Sequence, residues 1–373
     1  MRIAVDAADL CDQRVDGTRI YIKNVLDFLG VFEKKDDFLI YAKGEFNREL
    51  TFKNYPNYQI KTSWAFRFWT QTRFPQELKR DRPAVLWMPL QTVPFFTNPK
   101  IKVVVTIHDL AFKIFPQHFP KKDFLLLSLF TKRALKRANR IIAVSQNTKK
   151  DIEKFYPDCA GKITVVPHGY DRQLFCVDRA ENKEALKNAR AKYQLPSSYL
   201  LYAGALQPRK NLEMLISAFE VLKENPDFTD LKLVLAGSRA WLSQQIYERA
   251  EKSSQSANII FSGPYQTKDL PSLLAGAEAF IFPSLYEGFG LPMLEAMATG
   301  TPVVAANNSS LPEVGGAAPI YFKTESKTDL AEKLQRVLTD QHLRKEMIQK
   351  GLARVRDFSW EKCAEQTMAV LKG

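Results

Sequence analysis

The sequence predicts an α/β fold built from two Rossmann-like, doubly wound domains facing a cleft. Three observations carry this expectation. Short apolar runs such as Val103–Ile107, Ile141–Val144, Tyr199–Ala203 and Ala279–Phe282 alternate with helical periodicity through both halves, as buried parallel strands and their crossover helices do. At 373 residues the chain exceeds the roughly 250–300 that one core supports, so two domains are expected. Residues able to do chemistry fall in loops just past the strands, where such sheets bind ligands.

Composition narrows the class. Hydrophobic content of 45%, aromatic content of 12% and a mean hydropathy of −0.26 fit a folded globular chain. No apolar run approaches the ~20 residues of a spanning helix. Met1-Arg2-Ile3-Ala4-Val5 leads straight into a strand with no signal peptide, so a cytoplasmic protein is expected. The four cysteines (Cys11, Cys159, Cys176, Cys363) lack metal-ligand spacing and read as reduced thiols. A net charge of +13 suits an anionic membrane face, nucleic acid or phosphorylated ligands. No nucleic-acid-binding motif accompanies it, which argues against the second.

In the N-terminal half, strands are expected at Arg2–Asp6, Phe38–Tyr41, Tyr58–Lys61, Val85–Met88, Val103–Ile107, Ile141–Val144 and Ile163–Val166. After the first comes a polar loop ending in Asp16-Gly17-Thr18, then a helix over Ile20–Gly30. A strand, a glycine-bearing loop and a helix form a half-site for phosphates, although G-x-G-x-x-G is absent. His108 follows the Val103–Ile107 strand, at the crevice position where α/β folds place ligand contacts. His118 reads as loop. Asp123–Ala138 is amphipathic, with Phe124 to Phe130 followed by Lys132, Arg133, Lys136, Arg137 and Arg140. Two readings stand: a core-packing helix with a solvated basic end, or part of a 121–154 patch for an anionic membrane surface at the inner face of the cell membrane. Ser145 opens the next helix as an N-cap.

The C-terminal half has strands at Tyr199–Ala203, Leu231–Ala236, Ile259–Phe261, Ala279–Phe282 and Val303–Ala305. The loop from Gly204 carries adjacent cations, Arg209 and Lys210, before the helix Leu212–Leu222; cations there can neutralise a diphosphate. Gly237-Ser238 closes the second strand. Beyond Ala279–Phe282, Tyr286-Glu287-Gly288-Phe289-Gly290 forms a turn, Pro292 suits the first position of a short helix, and Gly300 stops it. The turn's amides and the helix N-terminus make an anion-receiving pocket with two carboxylates beside it, Glu287 and Glu295. Acids facing an anion site make sense as acceptors from neutral hydroxyls, as on a sugar and a ribose. Ser310 and Glu313 read as a capping box. Asp178–Gln194 reads as a linker helix, and Ala317–Gly373 as two helices.

The run Pro-Ser-Leu-Tyr-Glu-Gly-Phe-Gly-Leu-Pro-Met-Leu-Glu-Ala, followed by Gly-Thr-Pro-Val-Val, resembles the E-x7-E signature of retaining glycosyltransferases of family 4, which have the GT-B fold. The likeness spans the chain nearly end to end, most specifically from Tyr202 to Gly316. It implies an acceptor-side domain over residues 1–170 completed by a C-terminal helix over 356–373. A hinge and linker helix over 171–195 and a nucleotide-sugar domain over 196–355 follow. It places His108 against the donor sugar, Arg209 and Lys210 on the diphosphate, and Gly17 near that diphosphate, where an ordinary turn glycine is the other reading. It places Tyr265 by the base, where a packing tyrosine is equally expected, and makes His168 a hinge residue. Donor contacts are expected at Gly204, Ser238, Gly288, Phe289, Gly290, Leu291 and Glu295, with His108, Glu287, Arg209 and Lys210 catalytic. The implied activity is transfer of a hexose, mannose by overall look, from a nucleotide-diphosphate sugar to a glycan or lipid-linked acceptor, with no metal and no further cofactor. The rival expectations are a nucleotide-sugar epimerase on the same fold and a non-catalytic nucleotide-sugar-binding protein.

Overall fold

The computed structural model describes residues 1–64, 68–180 and 182–373. Among these residues the chain forms two sheets. The first takes strands β1 (Arg2–Asp6), β2 (Asp37–Ala42), β3 (Tyr58–Thr62), β4 (Val85–Met88), β5 (Lys102–Ile107), β6 (Arg140–Ala143) and β7 (Ile163–Val165), in spatial order β3-β2-β1-β4-β5-β6-β7. The second takes β8 (Tyr199–Ala203), β9 (Lys232–Ala236), β10 (Ile259–Gly263), β11 (Ala279–Phe282), β12 (Val303–Ala306) and β13 (Ile320–Phe322), in order β10-β9-β8-β11-β12-β13. Both sheets are parallel, so successive strands are joined by crossovers that carry helices onto their faces. Each sheet reverses its winding once, between β1 and β4 and between β8 and β11. Loops leaving adjacent strands diverge at such a switch, and ligands enter there.

The chain divides into two compact units: residues 1–114, 121–169 and 359–373 in one, 115–120 and 170–358 in the other. In the first, the helices Gly17–Phe32 and Trp360–Lys372 pack together. Tyr21 and Trp87 are buried with their polar ends on the Thr106 hydroxyl, at 3.2 and 3.1 Å, so burial of these large rings leaves no polar tip unpaired. In the second, every residue of β8, β11 and β12 is buried, as strands covered on both faces require. The ends of β8 and β9 approach so closely that a Cβ on Gly237 would lie 1.8 Å from the Gly204 carbonyl oxygen. Only glycine fits there.

Several expectations change. Gly17 is the first residue of a helix rather than part of the preceding loop, because Asp16 accepts the Arg19 amide and caps it. The stretch 178–194 is two helices, Val177–Ala180 and Lys183–Tyr193, with Glu181 outside the described residues. The last part of the chain holds β13 and three helices, Lys327–Thr339, Gln341–Arg354 and Trp360–Lys372. Asp340 ends the first of these and caps the second through the Leu343 amide, so the break costs one residue and needs no glycine or proline. Ser145 caps its helix as expected, accepting from Thr148.

The helix Lys121–Arg137 buries only Thr131, Ala134 and Leu135. Leu125 and Leu129 are 66% and 54% exposed, and Leu126 is exposed beside them. Most of its apolar face is therefore not core. No helix among the described residues is long and apolar enough to cross a membrane.

Candidate active site

The second unit gathers its chemistry at the switch between β8 and β11. From β8 the chain turns at Gly204, and Leu206 donates its amide to the Ser238 carbonyl at 3.0 Å, tying this loop to the end of β9. A tight turn over Pro208–Lys210 follows. Asn211 then adopts a left-handed φ of 57° to start the helix Leu212–Leu222, and its side chain donates to the Thr324 carbonyl. From β11 the chain enters the turn that carries Glu287. The two loops meet through their backbones, with the Leu285 amide on the Arg209 carbonyl at 2.9 Å.

That contact sets Arg209 and Lys210 against Glu287. The Lys210 ammonium donates to one carboxylate oxygen, and the Arg209 guanidinium lies 3.4 Å from the other. Arg209 also donates to the Tyr286 carbonyl, and the Lys210 ammonium lies 5.7 Å from the centre of the Phe282 ring. All three charged side chains are close to nine-tenths buried. Burial would push the Glu287 carboxyl up; Lys210 and then Arg209 outweigh it and hold the group below the usual carboxylate range. The triad is therefore ionised at neutral pH, with two cations pre-positioned by one acid.

Glu295 lies eight positions on, in the helix Leu291–Ala298, and its surroundings are the reverse. It is buried, and no described residue donates a hydrogen bond or presents a cation to its carboxylate. Burial, and then Asp171, push it up to about 8. Tyr265 lies within its field: burial and then Glu295 raise the phenol. Glu295 can thus either accept from or donate to a hydroxyl near neutral pH.

Gly290 holds a φ of 107°, a conformation that favours glycine, and ends the turn as the residue before the helix. The helix begins at Leu291, one residue before the expected Pro292, which falls in the first turn; Gly300, at φ 75°, follows the last turn as expected. Leu291 is buried. Phe289 is buried against Phe358, ring centres 5.8 Å apart and edge to face. The turn's amides do not all serve an anion, because Glu287 gives its own to the Ser309 hydroxyl at 3.0 Å.

Ser309 belongs to a run that sequence reasoning missed. Its hydroxyl donates to the Asn308 side-chain oxygen at 2.8 Å, and the Asn308 amide donates to the Ser284 carbonyl and the Thr324 hydroxyl, both at 2.9 Å. The buried Ser310 hydroxyl lies 2.9 Å from the carbonyl oxygens of both Glu287 and Phe289. This corrects the capping-box expectation: Ser310 makes no cap bond, because its hydroxyl is drawn off by the neighbouring turn. The available signal was a run of small polar residues, Asn307-Asn308-Ser309-Ser310, directly after a buried strand.

The remaining candidates divide between the two units. Ser238 is exposed at the end of β9 and contributes its carbonyl to the Leu206 amide; Tyr265 follows β10 and is half-buried. Gly17 and His108 belong to the first unit. Around Gly17, Arg19 binds the carboxylates of Asp9, Asp12 and Asp16. The His108 ring donates from Nε2 to the Pro89 carbonyl at 2.9 Å, since a carbonyl can only accept, which leaves Nδ1 with the lone pair. Burial lowers its pKa against the opposing pull of Pro89, Asp109 and Asp16, so the ring is neutral at pH 7. His168 is buried in the same unit, stacked on Tyr21 at 4.8 Å and 5.5 Å from His108, and burial keeps it neutral.

Comparison with known proteins identifies the family of both halves of the chain. Residues 36–174 match the family described as Glycosyltransferase Family 4, and residues 182–354 match Glycosyl transferases group 1. The chain is 32% identical over 274 residues to the O-antigen chain mannosyltransferase B of Escherichia coli, covering 73% of this chain and 70% of that one. It is 30% identical to the serotype-specific mannosyltransferase WbdA of Escherichia coli over 61% of this chain, which spans only 28% of that longer protein. Among solved structures, Anabaena HepE in complex with UDP-glucose shares the fold with a TM-score of 0.74 over 100% of this chain and 99% of that one, at 16% identity. With two parallel sheets and these matches over both halves, the chain belongs to glycosyltransferase family 4 and is a glycosyltransferase of the GT-B fold.

Proposed function

We propose that the chain moves a hexose, mannose in the first instance, from a nucleotide-diphosphate sugar to a glycan or lipid-linked acceptor in cell-surface polysaccharide or glycolipid synthesis. The observation that carries the reading is the Arg209–Lys210–Glu287 triad at the β8/β11 switch. When a donor binds, its diphosphate takes up the two cations that Glu287 holds in place, and Glu287 turns to the hydroxyls of the sugar. Glu295, whose carboxylate receives no hydrogen bond among the described residues, accepts from the ribose, and Tyr265 and Ser238 lie on the base side. Gly204 and the turn Gly288–Leu291 let the backbone approach the donor. His108 orients the sugar, and Gly17 approaches the diphosphate. The names of the mannosyltransferase relatives support the choice of hexose, with GDP-mannose as the first donor to try.

Among the described residues none stands as a committed nucleophile, and the reading is front-face displacement with retention. The bond from the anomeric carbon to the diphosphate breaks with its electron pair leaving on phosphate. The acceptor oxygen bonds to the same face, and the departing phosphate takes the acceptor proton. Arg209 and Lys210 stabilise the charge that develops on the leaving group, electrostatic work of the kind worth several kcal/mol. No metal is assigned to this step. We place the protein in the cytoplasm, at the inner face of the membrane. The exposed Leu125, Leu126 and Leu129, beside the exposed Lys121, Lys122, Lys132 and Lys136, support contact with an anionic surface there.

A panel of nucleotide-sugars tests the reading. The true donor raises the melting temperature by mass action, about 3 kcal/mol at a hundredfold excess over Kd. It then yields a glycoside with the donor's anomeric configuration. Conversion of the sugar without transfer would make the chain an epimerase, and binding with neither transfer nor hydrolysis would make it a non-catalytic binder.

A further inference from the structure

We infer that Asn308, Ser309 and Ser310, in the loop after β12, are positioning residues for Glu287, an inference that rests on the role given to Glu287 above. Three side chains from consecutive positions grip the Glu287 turn at four points. Ser309 accepts the Glu287 amide, Ser310 reaches the Glu287 and Phe289 carbonyls, and Asn308 holds the Ser284 carbonyl. They therefore bind the backbone on both sides of the acid that contacts both cations. Asn308 extends the grip to the Thr324 hydroxyl, and the Thr324 carbonyl receives the Asn211 side chain that follows the cation pair. One hydrogen-bonded chain thus runs from the turn of the acid to the turn of its cations.

The conformation of Ser309 points to the same role. Its φ is 49°, in the left-handed region where a non-glycine residue is strained and glycine is at ease. A serine that only closed a loop would gain by being glycine. This serine tolerates the strain and uses its hydroxyl twice, as acceptor from Glu287 and donor to Asn308. Backbone strain kept where a side chain is in use marks a functional constraint. Without the grip, the turn keeps its covalent path but the carboxylate loses its fixed height over the cations, and a misplacement on the order of 1 Å at a reacting centre can cost about a hundredfold in rate.

The test uses the full chain and the nucleotide-sugar that best stabilises it in the thermal-shift panel. Ser309→Gly removes the hydroxyl and relieves the strain. Its melting temperature should stay within about 2 °C of wild type or rise, while kcat falls about tenfold or more and the donor KM changes less than threefold. Ser310→Ala should lower kcat similarly, and if it proves too unstable to purify, Ser309→Gly carries the test alone. In a Glu287→Gln background, Ser309→Gly should have no further effect on kcat, because the groups act through one another. Wild-type kcat in Ser309→Gly, or an equal loss in both backgrounds, would overturn the inference. Wild-type kcat in Glu287→Gln alone would instead overturn the role of Glu287 and leave the grip a purely structural feature.

Discussion

Glu287 and Glu295 are the same residue type, eight positions apart on one turn and the helix it opens, and both are about nine-tenths buried. Their surroundings differ in one respect. Glu287 faces two cations brought by the neighbouring β8 loop, and it stays charged despite its burial. Glu295 faces a phenol and another acid, and it is pushed up to about 8. Sequence spacing pairs the two acids, but the strand order decides their chemistry. β11 lies beside β8, so the loop after β11 meets the loop after β8 and brings Glu287 to the cations, whereas Glu295 lies in the helix beyond, where burial and Asp171 act on it. One acid is suited to holding charge in place, and the other to exchanging hydrogen bonds with neutral hydroxyls.

The comparison can be broken in a definite order. Glu287→Gln should show the largest effect, a fall in kcat on the order of 10²–10³, as loss of a positioned polar group at a developing charge produces. Initial rates at saturating donor measure it, and a rate near wild type would remove Glu287 from the chemistry. Lys210→Met should cost stability next, about 3–5 kcal/mol at pH 8, because a buried carboxylate loses its nearer partner. The sign with pH follows from Glu287. Its native pKa is depressed, so in wild type its contribution is present above the ordinary value near 4.5 and is lost as the pH falls through the native one. The gap between wild type and Lys210→Met should therefore shrink as the pH drops below the ordinary value, which denaturant melts at pH 3 and pH 8 would reveal.

Glu295→Gln should have the smallest effect on stability and the opposite sign. A raised native pKa means that the folded state holds the proton more tightly. Wild-type stability is thus undiminished below about 4.5 and declines as the pH rises through about 8. The variant lacks that decline, so it should match wild type at pH 5 and exceed it at pH 9 by up to a few kcal/mol. A variant less stable than wild type at pH 9 would show that Glu295 has a cation partner after all.

Much of the fold was legible because buried parallel strands advertise themselves. Runs such as Val103-Val104-Val105-Thr106-Ile107 are β-branched throughout and apolar but for Thr106, and both sheets follow from them. The candidate triad was legible because Glu287 sits in a contiguous motif and Arg209 and Lys210 are adjacent. What stayed hidden depended on tertiary competition. Ser310 and Glu313 have capping-box spacing, yet two carbonyls from a distant turn win the hydroxyl. Ser309 and Asn308 carry no local signal of their partners, because those partners lie more than a dozen residues away. The C-terminal helices were merged because Asp340 serves as both stop and cap. The exposed face of Lys121–Arg137 was unreadable because periodicity gives a helix an apolar side without saying what covers it.

The division of labour between the two acids is tested most directly by calorimetric binding of the nucleoside diphosphate to Glu287→Gln and Glu295→Gln side by side. Freed cations should let Glu287→Gln bind the diphosphate as tightly as wild type or more tightly, while loss of the ribose acceptor should weaken binding to Glu295→Gln about tenfold. The reverse pattern, weak binding by Glu287→Gln and unchanged binding by Glu295→Gln, would contradict the account.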